Sequence, residues 1–299
     1  MIDQVRAFNR TVTQRVGALD DHYLSRDRPL GEARVLWEIG PSGCDVRALR
    51  SRLSLDSGYL SRLLRSLERA DLVKVMANAP DKRMRTAHLT AKGRKERVLL
   101  DRRSDALAHS MLEPLAESQR KRLVEAMREV EQLLTAALIT IERVDPTNRH
   151  AQYCLREYFA ELDRRFASGF DPDATLPVDP AEMRPPAGTF LVGLLHGEPV
   201  CCGALKFHGK RPAYLKRMWV SPGVRGLGLG RRLLAELERR AAEHGCRAVQ
   251  LETNRALVEA IAMYRSSGYR EVAAFNDEPY GDHWFEKSVG GAIARQSRL

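Results

Sequence analysis

Between Lys216 and Leu234 the chain reads KRMWVSPGVRGLGLGRRLL, a stretch whose residue types could hold a phosphate group. Lys216 to Val220 mixes long, aromatic and β-branched residues over a strand's length, and Ser221-Pro222-Gly223 breaks it. From Arg231 a helix is predicted. Leu233, Leu234, Leu237 and Ala241 recur at helical spacing, leaving Arg231, Arg232, Glu236, Glu238, Arg239 and Arg240 for water. Gly226, Gly228 and Gly230 stand between strand and helix, each free to take a positive φ and to let backbone approach a ligand. N–H groups unpaired at the helix start, together with the helix dipole, favour an anion such as a pyrophosphate.

The spacing selects among phosphate-binding turns. A dinucleotide fingerprint starting at Gly226 needs glycine where Arg231 stands, and one starting at Gly228 needs it where Leu233 stands. A P-loop would close on Gly-Lys-Ser/Thr, but Arg231-Arg232 follows Gly230. What remains, Arg225-x-x-Gly228-x-Gly230, resembles the pyrophosphate loop of the GNAT acetyltransferases. The resemblance continues in Val220 and Pro222 before the loop, Leu233-Leu234 in the helix, and the strand-like Val249 to Asn254. It extends to Ala260, Tyr264, Gly268 and Tyr269 in AIAMYRSSGY, and to Trp284-Phe285-Glu286-Lys287 as a closing strand.

This resemblance implies an α/β GNAT fold with a mixed central sheet over residues 149–289, with acetyl-CoA as cosubstrate and an amine as acceptor. Transfer would be direct, with no covalent enzyme intermediate, so that positioning supplies most of the catalysis. The backbone of Met218 and Val220 would contact the pantetheine arm. Arg225, Gly226, Leu227, Gly228, Leu229, Gly230 and Arg231 would hold the pyrophosphate, and Asn254 would lie near the pantetheine. Tyr264 would protonate the departing thiolate; a helix aromatic packed on the sheet accounts for it equally. Glu252 shares a strand face with Asn254 because side chains alternate. It could receive the amine proton through water, or be a solvated carboxylate at a strand end. Tyr214 stands where family members of this type often carry an acidic residue, which leaves open a half that binds acetyl-CoA or an amine as a signal without turnover.

The acceptor pocket is expected from the earlier part of this half. His150 to Phe166 reads as a helix with Tyr153, Leu155, Tyr158, Phe159, Leu162 and Phe166 as its apolar and aromatic positions. Glu157 and Glu161, four apart, could bind a cationic amine or face water. Asp171 to Pro186, rich in proline and aspartate, reads as an extended loop that covers the cleft or joins two elements.

Residues 1–145 carry a different pattern, mainly α. From Ser57 to Arg69, Leu60, Leu63, Leu64 and Leu67 share an inner face, with Ser57, Ser61, Arg62, Arg65 and Arg69 outside. Preceded by a short helix from Val46 to Leu53, this reads as a helix-turn-helix whose basic face suits phosphates and guanine edges. Two short strands, Leu72 to Val75 and Ala87 to Thr90, flank a basic tip and read as a wing. Leu60-Ser61-Arg62, Asp81-x-Arg83 and Leu89-Thr90-x-x-Gly93 are similar to the MarR family of winged-helix regulators. That resemblance implies contacts to double-stranded DNA from Ser57, Ser61, Arg62, Arg65 and Arg85, with Arg83 in the minor groove oriented by Asp81. It also implies a homodimer on a near-palindromic operator. Leu123, Met127, Val130, Leu134, Ala137 and Ile141 form a heptad-like stripe that could pair across a two-fold or pack within one subunit. A first helix from about Ile2 to Leu24 would join it.

At 299 residues two cores are expected, jointed at Val144 to Asn148, with residues 290–299 a loose tail. The net charge of +10 favours a polyanionic partner, and nucleic acid suits the first half better than a membrane does. Five cysteines without metal or redox spacing, no signal peptide and no bilayer-spanning apolar run point to the cytoplasm, with no metal. The reading is a DNA-binding regulator fused to an N-acetyltransferase. Its alternative is a regulator whose second half is an inactive sensor of acetyl-CoA or amine.

Overall fold

The computed structural model describes residues 1–20, 22–25, 27–77, 85–176, 179–209 and 212–289. The chain forms two compact units that divide between Glu129 and Val130.

The first unit runs α1 (Ile2–Arg15), α2 (Leu30–Ile39), β1 (Cys44–Asp45), α3 (Val46–Leu53), α4 (Ser57–Arg69), β2 (Val73–Ala77), β3 (Arg85–Leu89) and α5 (Ala91–Leu112). α1 stops well before Leu24, because Gly17 takes φ +67° and ends the helical turn. α4 buries Leu60, Leu63, Leu64 and Leu67, as their spacing predicts, against Leu36, Ile39 and Leu49. Asp56 caps it by accepting from Tyr59 N–H at 2.8 Å. β1, β3 and β2 form a small antiparallel sheet, with Val73 opposite Leu89 and Ala77 opposite Arg85. The Leu-Thr-x-x-Gly signature has a physical cause here. Thr90 Oγ1 accepts from Gly93 N–H at 3.0 Å and donates to Asp71 O at 2.7 Å. A Cβ on Gly93 would sit 2.0 Å from Leu72 O.

α6 (Glu117–Leu138) crosses the division. Among the described residues, α1 and α6 bury none of their own side chains, and Ile2, Val5, Phe8, Met127, Leu133 and Leu134 stay exposed. The stripe does not continue through Ile141. Ile139 is buried, and Thr140–Arg143 forms β4, antiparallel to β5 with Ile141 opposite Gly193. A first half reaching residue 145 therefore overruns into the second unit's sheet, because these β-branched residues find a strand edge to join.

The second unit continues with α7 (Arg149–Arg165), β5 (Gly188–Leu195), β6 (Glu198–Lys206), β7 (Ala213–Val220), α8 (Leu229–Glu243), β8 (Ala248–Thr253), α9 (Val258–Ser266), β9 (Arg270–Val272) and β10 (His283–Ser288). Among the described residues its seven strands lie in the order β4-β5-β6-β7-β8-β10-β9, antiparallel except for β7 beside β8. Alternation along the central strands splits the core. Leu191, Cys201 and Leu205 pack with Leu233, Leu234 and Leu237 of α8, whereas Phe190, Val192, Cys202 and Ala204 pack with Ala151 and Cys154 of α7. Cys201 and Cys202 thus belong to opposite faces, and all five cysteines are free thiols.

Two irregularities prepare the site. Among the described residues β7 and β8 pair only at Ala213–Val249 and Tyr214–Gln250. β7 also bulges against β6: Trp219 lies opposite Cys202 and Lys216 opposite Ala204, with Arg217 at φ +58° in the extra length.

Candidate functional site

Beyond Tyr214 and Gln250 the parted strands β7 and β8 leave room for a cleft of about 710 Å³. Met218, Val220, Arg225, Gly226, Gly228, Leu229, Gly230, Arg231 and Tyr264 line it, with Tyr158 and Glu161 from α7. Gly226 and Gly228 take φ +81° and +72°, and a Cβ at either would meet nothing within 4 Å; conformation rather than room calls for glycine. Gly230 differs from the expected positive φ. It lies inside α8, and a Cβ there would come 2.9 Å from Met263 Sδ. Arg232 N–H donates to Gly228 O at 3.0 Å, so the amides of Leu229, Gly230 and Arg231 precede the helical ladder. These groups and the dipole behind them fit the diphosphate of an acyl-CoA. Leu227 instead packs on the core and is not among the cleft-lining residues.

The arginines of the loop are engaged. Arg225 donates from Nε to Val220 O at 2.9 Å and from Nη2 to Glu161. Glu161 also accepts from Trp219 Nε1 at 3.0 Å and pairs with Arg165 at 3.5 Å. It is therefore neither a solvated charge nor an amine ligand, because three donors already surround it, and Glu157 lines neither cavity. Arg231 donates to Ser266 Oγ at 3.2 Å.

A smaller cavity of about 90 Å³ shares Tyr158, Leu162, Met218, Leu257, Ala260 and Tyr264 with the cleft. Its remaining wall includes Phe166, Phe170, Thr175, Lys216, Arg217, Glu252, Asn254, Glu278 and Tyr280. Tyr264 stands where the two meet. It is 5% exposed, and its hydroxyl reaches Met218 Sδ at 3.7 Å. Burial, helped by Tyr158 and Glu252, pushes its pKa well above the ordinary phenol range, so it keeps its proton.

Glu252 lines the smaller cavity but is not a freely solvated carboxylate. It accepts from Lys216 Nζ at 2.7 Å and from the Tyr214 hydroxyl. Tyr214 in turn accepts from Asn276 Nδ2 at 2.7 Å, and its own pKa is raised by burial and by Glu252. Asn254 lines the smaller cavity and not the larger cleft. Its amide donates to Tyr280 O at 3.0 Å and accepts from Ala256 N–H at 2.9 Å. The loop after α7 covers this cavity: Asp171 N–H donates to Tyr280 Oη at 3.0 Å and Leu176 N–H to Glu278 Oε2 at 3.3 Å. Glu278 and Tyr280 escaped the sequence reading, because the segment between β9 and β10 has no period or motif to mark it.

On the first unit, Ser57, Arg62 and Arg65 are exposed on α4 and Ser61 is half-buried. The Arg62 guanidinium lies 5.5 Å from the centre of the Tyr59 ring. Arg85 is exposed at the start of β3, whereas Asp81 and Arg83 lie outside the described residues.

A split mixed sheet with a glycine turn leading into a helix defines an acyltransferase half, and a helix-turn-helix with its small sheet defines a winged-helix half. Residues 126–269 match the acetyltransferase (GNAT) family and residues 27–84 the MarR family. The chain is 33% identical over 144 residues to an IAA acetyltransferase of Azospirillum brasilense, which covers 48% of this chain and 90% of that protein. It is 45% identical over 65 residues to a blasticidin-S acetyltransferase of Streptomyces morookaense, covering 21% of this chain and 46% of the relative. Its first half is similar to the HTH-type transcriptional regulator TtmR of Methylorubrum extorquens, 40% identical over 77 residues, covering 26% of this chain and 36% of that one. The chain belongs to the GNAT acetyltransferase family and carries a MarR-type winged helix ahead of that half.

Proposed function

We propose that the protein is a DNA-binding regulator joined to an acetyl-CoA-dependent N-acetyltransferase. The observation that carries the enzymatic half is Tyr264, a protonated phenol at the meeting of two cavities, with a weakly accepting thioether as its partner among the described residues. The edge of β7 at Met218 and Val220, which does not pair with β8 among the described residues, offers peptide groups to the pantetheine amides as an added strand would, although Val220 O already accepts from Arg225 Nε. The amine nitrogen attacks the thioester carbonyl carbon, forming C–N and breaking C–S. Sulfur leaves as thiolate and takes the Tyr264 proton, and the proton lost by nitrogen passes through water to Glu252.

In the first half, α4 offers Ser57, Ser61, Arg62 and Arg65 to the major groove of double-stranded DNA, with Arg85 near the wing. Pairing through the apolar sides of α1 and α6 would give a homodimer reading a near-palindromic site, with half-sites roughly 34 Å apart. Among the described residues no helix is long and apolar enough to cross a membrane. Free, mostly buried thiols suit the cytoplasm.

The hold of Lys216 and Tyr214 on Glu252 favours one second reading, an acyl-CoA or amine sensor without turnover. Calorimetric titration with acetyl-CoA, followed by thiol release across a panel of amines, separates the two. Binding with release supports the enzyme, binding without release supports the sensor, and no binding removes both.

A further inference from the structure

We propose that Tyr214 is a positioning residue for acyl transfer: a one-way chain of hydrogen bonds from Trp284 through Asn276 commits its hydroxyl proton to Glu252 and so fixes the carboxylate that takes the amine proton. This rests on the acetyltransferase reading above and names what sets its base in place.

Strand register assembles the group. Tyr214 on β7 pairs with Gln250 on β8, Glu252 stands two residues further along β8, and Trp284 on β10 lies opposite Glu252. Asn276 comes from the segment between β9 and β10. The hydrogen bonds among them run in one direction. An indole nitrogen donates and never accepts, so the Asn276 atom 2.8 Å from Trp284 Nε1 has to be Oδ1. Nδ2 is then the atom that meets Tyr214 Oη, at 2.7 Å, and an amide donor fills the accepting side of the phenol. The one proton of the phenol is left for Glu252 Oε2, which Asn276 Nδ2 also approaches at 3.4 Å. Burial, and next the charge of Glu252, push the Tyr214 pKa well above the ordinary phenol range, so the proton stays on the phenol.

The ring that carries this hydroxyl is held as well. Lys216 Nζ lies 4.8 Å from its centre, and Phe275 meets it edge-on with centroids 5.9 Å apart. Lys216 also donates to Glu252 Oε1 at 2.7 Å and to Glu278 Oε2 at 2.9 Å. Glu252 thus has a donor on each oxygen, and each donor is fixed by a further partner. Two effects then oppose each other. A donor makes a carboxylate a weaker base, whereas a fixed orientation keeps it on the path of the departing proton. Orientation wins, because a misplacement of roughly 1 Å can cost on the order of 100-fold in rate.

The test is steady-state thiol release by the full chain with acetyl-CoA and n-propylamine, tyramine, spermidine and a lysine peptide, keeping whichever acceptor the wild type uses fastest. Tyr214→Phe retains the ring and should lower kcat about 10- to 100-fold, with KM for the amine and acetyl-CoA affinity held within about twofold. Asn276→Asp offers the phenol proton a rival carboxylate and should lower kcat by a similar factor with Tyr214 still present. In a Glu252→Gln chain, Tyr214→Phe should reduce the residual rate by less than about twofold more, since its effect passes through Glu252. An unchanged kcat in Tyr214→Phe overturns the proposal and leaves the acetyltransferase reading intact. A faster kcat makes the hold a restraint on the base and overturns it equally, as does a full loss that persists in the Glu252→Gln chain. A wild type that releases no thiol with any of these amines removes the acetyltransferase reading itself, and the role of Tyr214 with it. Should Tyr214→Phe lose its circular dichroism signal, Asn276→Asp decides, an unchanged kcat there refuting the chain.

Discussion

Glu161 on α7 holds the guanidinium of Arg225, so the arginine of the glycine turn reaches the cleft already paired. A bound diphosphate and Glu161 would compete for one cation. Glu161→Gln keeps an acceptor for Trp219 Nε1 and removes the competing charge. Acetyl-CoA should then bind severalfold tighter, on the order of 1 kcal/mol for a partly exposed pair. Weaker binding by calorimetry would make Glu161 a support for Arg225 and not a rival.

Tyr264→Phe preserves the packed ring and removes the proton. Turnover measured by thiol release should fall about 100-fold, with acetyl-CoA affinity changed less than about twofold. Full turnover in the variant would reduce Tyr264 to a core aromatic.

Arg62→Ala and Arg65→Ala should weaken binding to a duplex of arbitrary sequence. Each should lower the slope of log affinity against log salt by about 1, read by fluorescence anisotropy. Unchanged slopes would take the exposed side of α4 away from phosphates.

Gly93→Ala should destabilise the winged-helix half by at least about 1–3 kcal/mol, since the new methyl overlaps Leu72 O. Thermal unfolding checks it. An unchanged transition would require α5 to shift without cost.

Glu236 is held down to a pKa of about 2, chiefly by its hydrogen bond from Arg239 and then by that from Arg240. A carboxylate whose pKa falls on folding stabilises the fold above its ordinary value of 4.5, and that contribution is lost as pH drops toward 2. Acid unfolding of Glu236→Gln should therefore separate from wild type above pH 4.5 and converge with it near pH 2. Parallel curves throughout would contradict the linkage.

The legible parts of this molecule were those in which local spacing and tertiary environment agree. Leu60, Leu63, Leu64 and Leu67 had one face to bury, and the glycine turn had one conformation that suits Gly226 and Gly228. Ile141 was misleading because its seven-residue spacing from Leu134 continued a helical stripe, and only the free edge of β5 makes it a strand residue. Glu161 lies 58 residues before Trp219 and 64 before Arg225, so their junction has no local signature. Glu278 is the extreme case: its surroundings come from β7, β8 and the loop after α7, and no period near residue 278 could announce them.

Under the proposed function, the parting of β7 from β8 makes the peptide backbone itself part of the acyl-CoA surface. Amide and carbonyl groups freed from a ladder cannot be deleted by changing a side chain. Alanine scanning across Arg217 to Val220 would therefore undercount this edge, and sequence drift there would leave ligand recognition largely untouched. Replacing single amides by esters, in a semisynthetic chain, is the perturbation that would reach it.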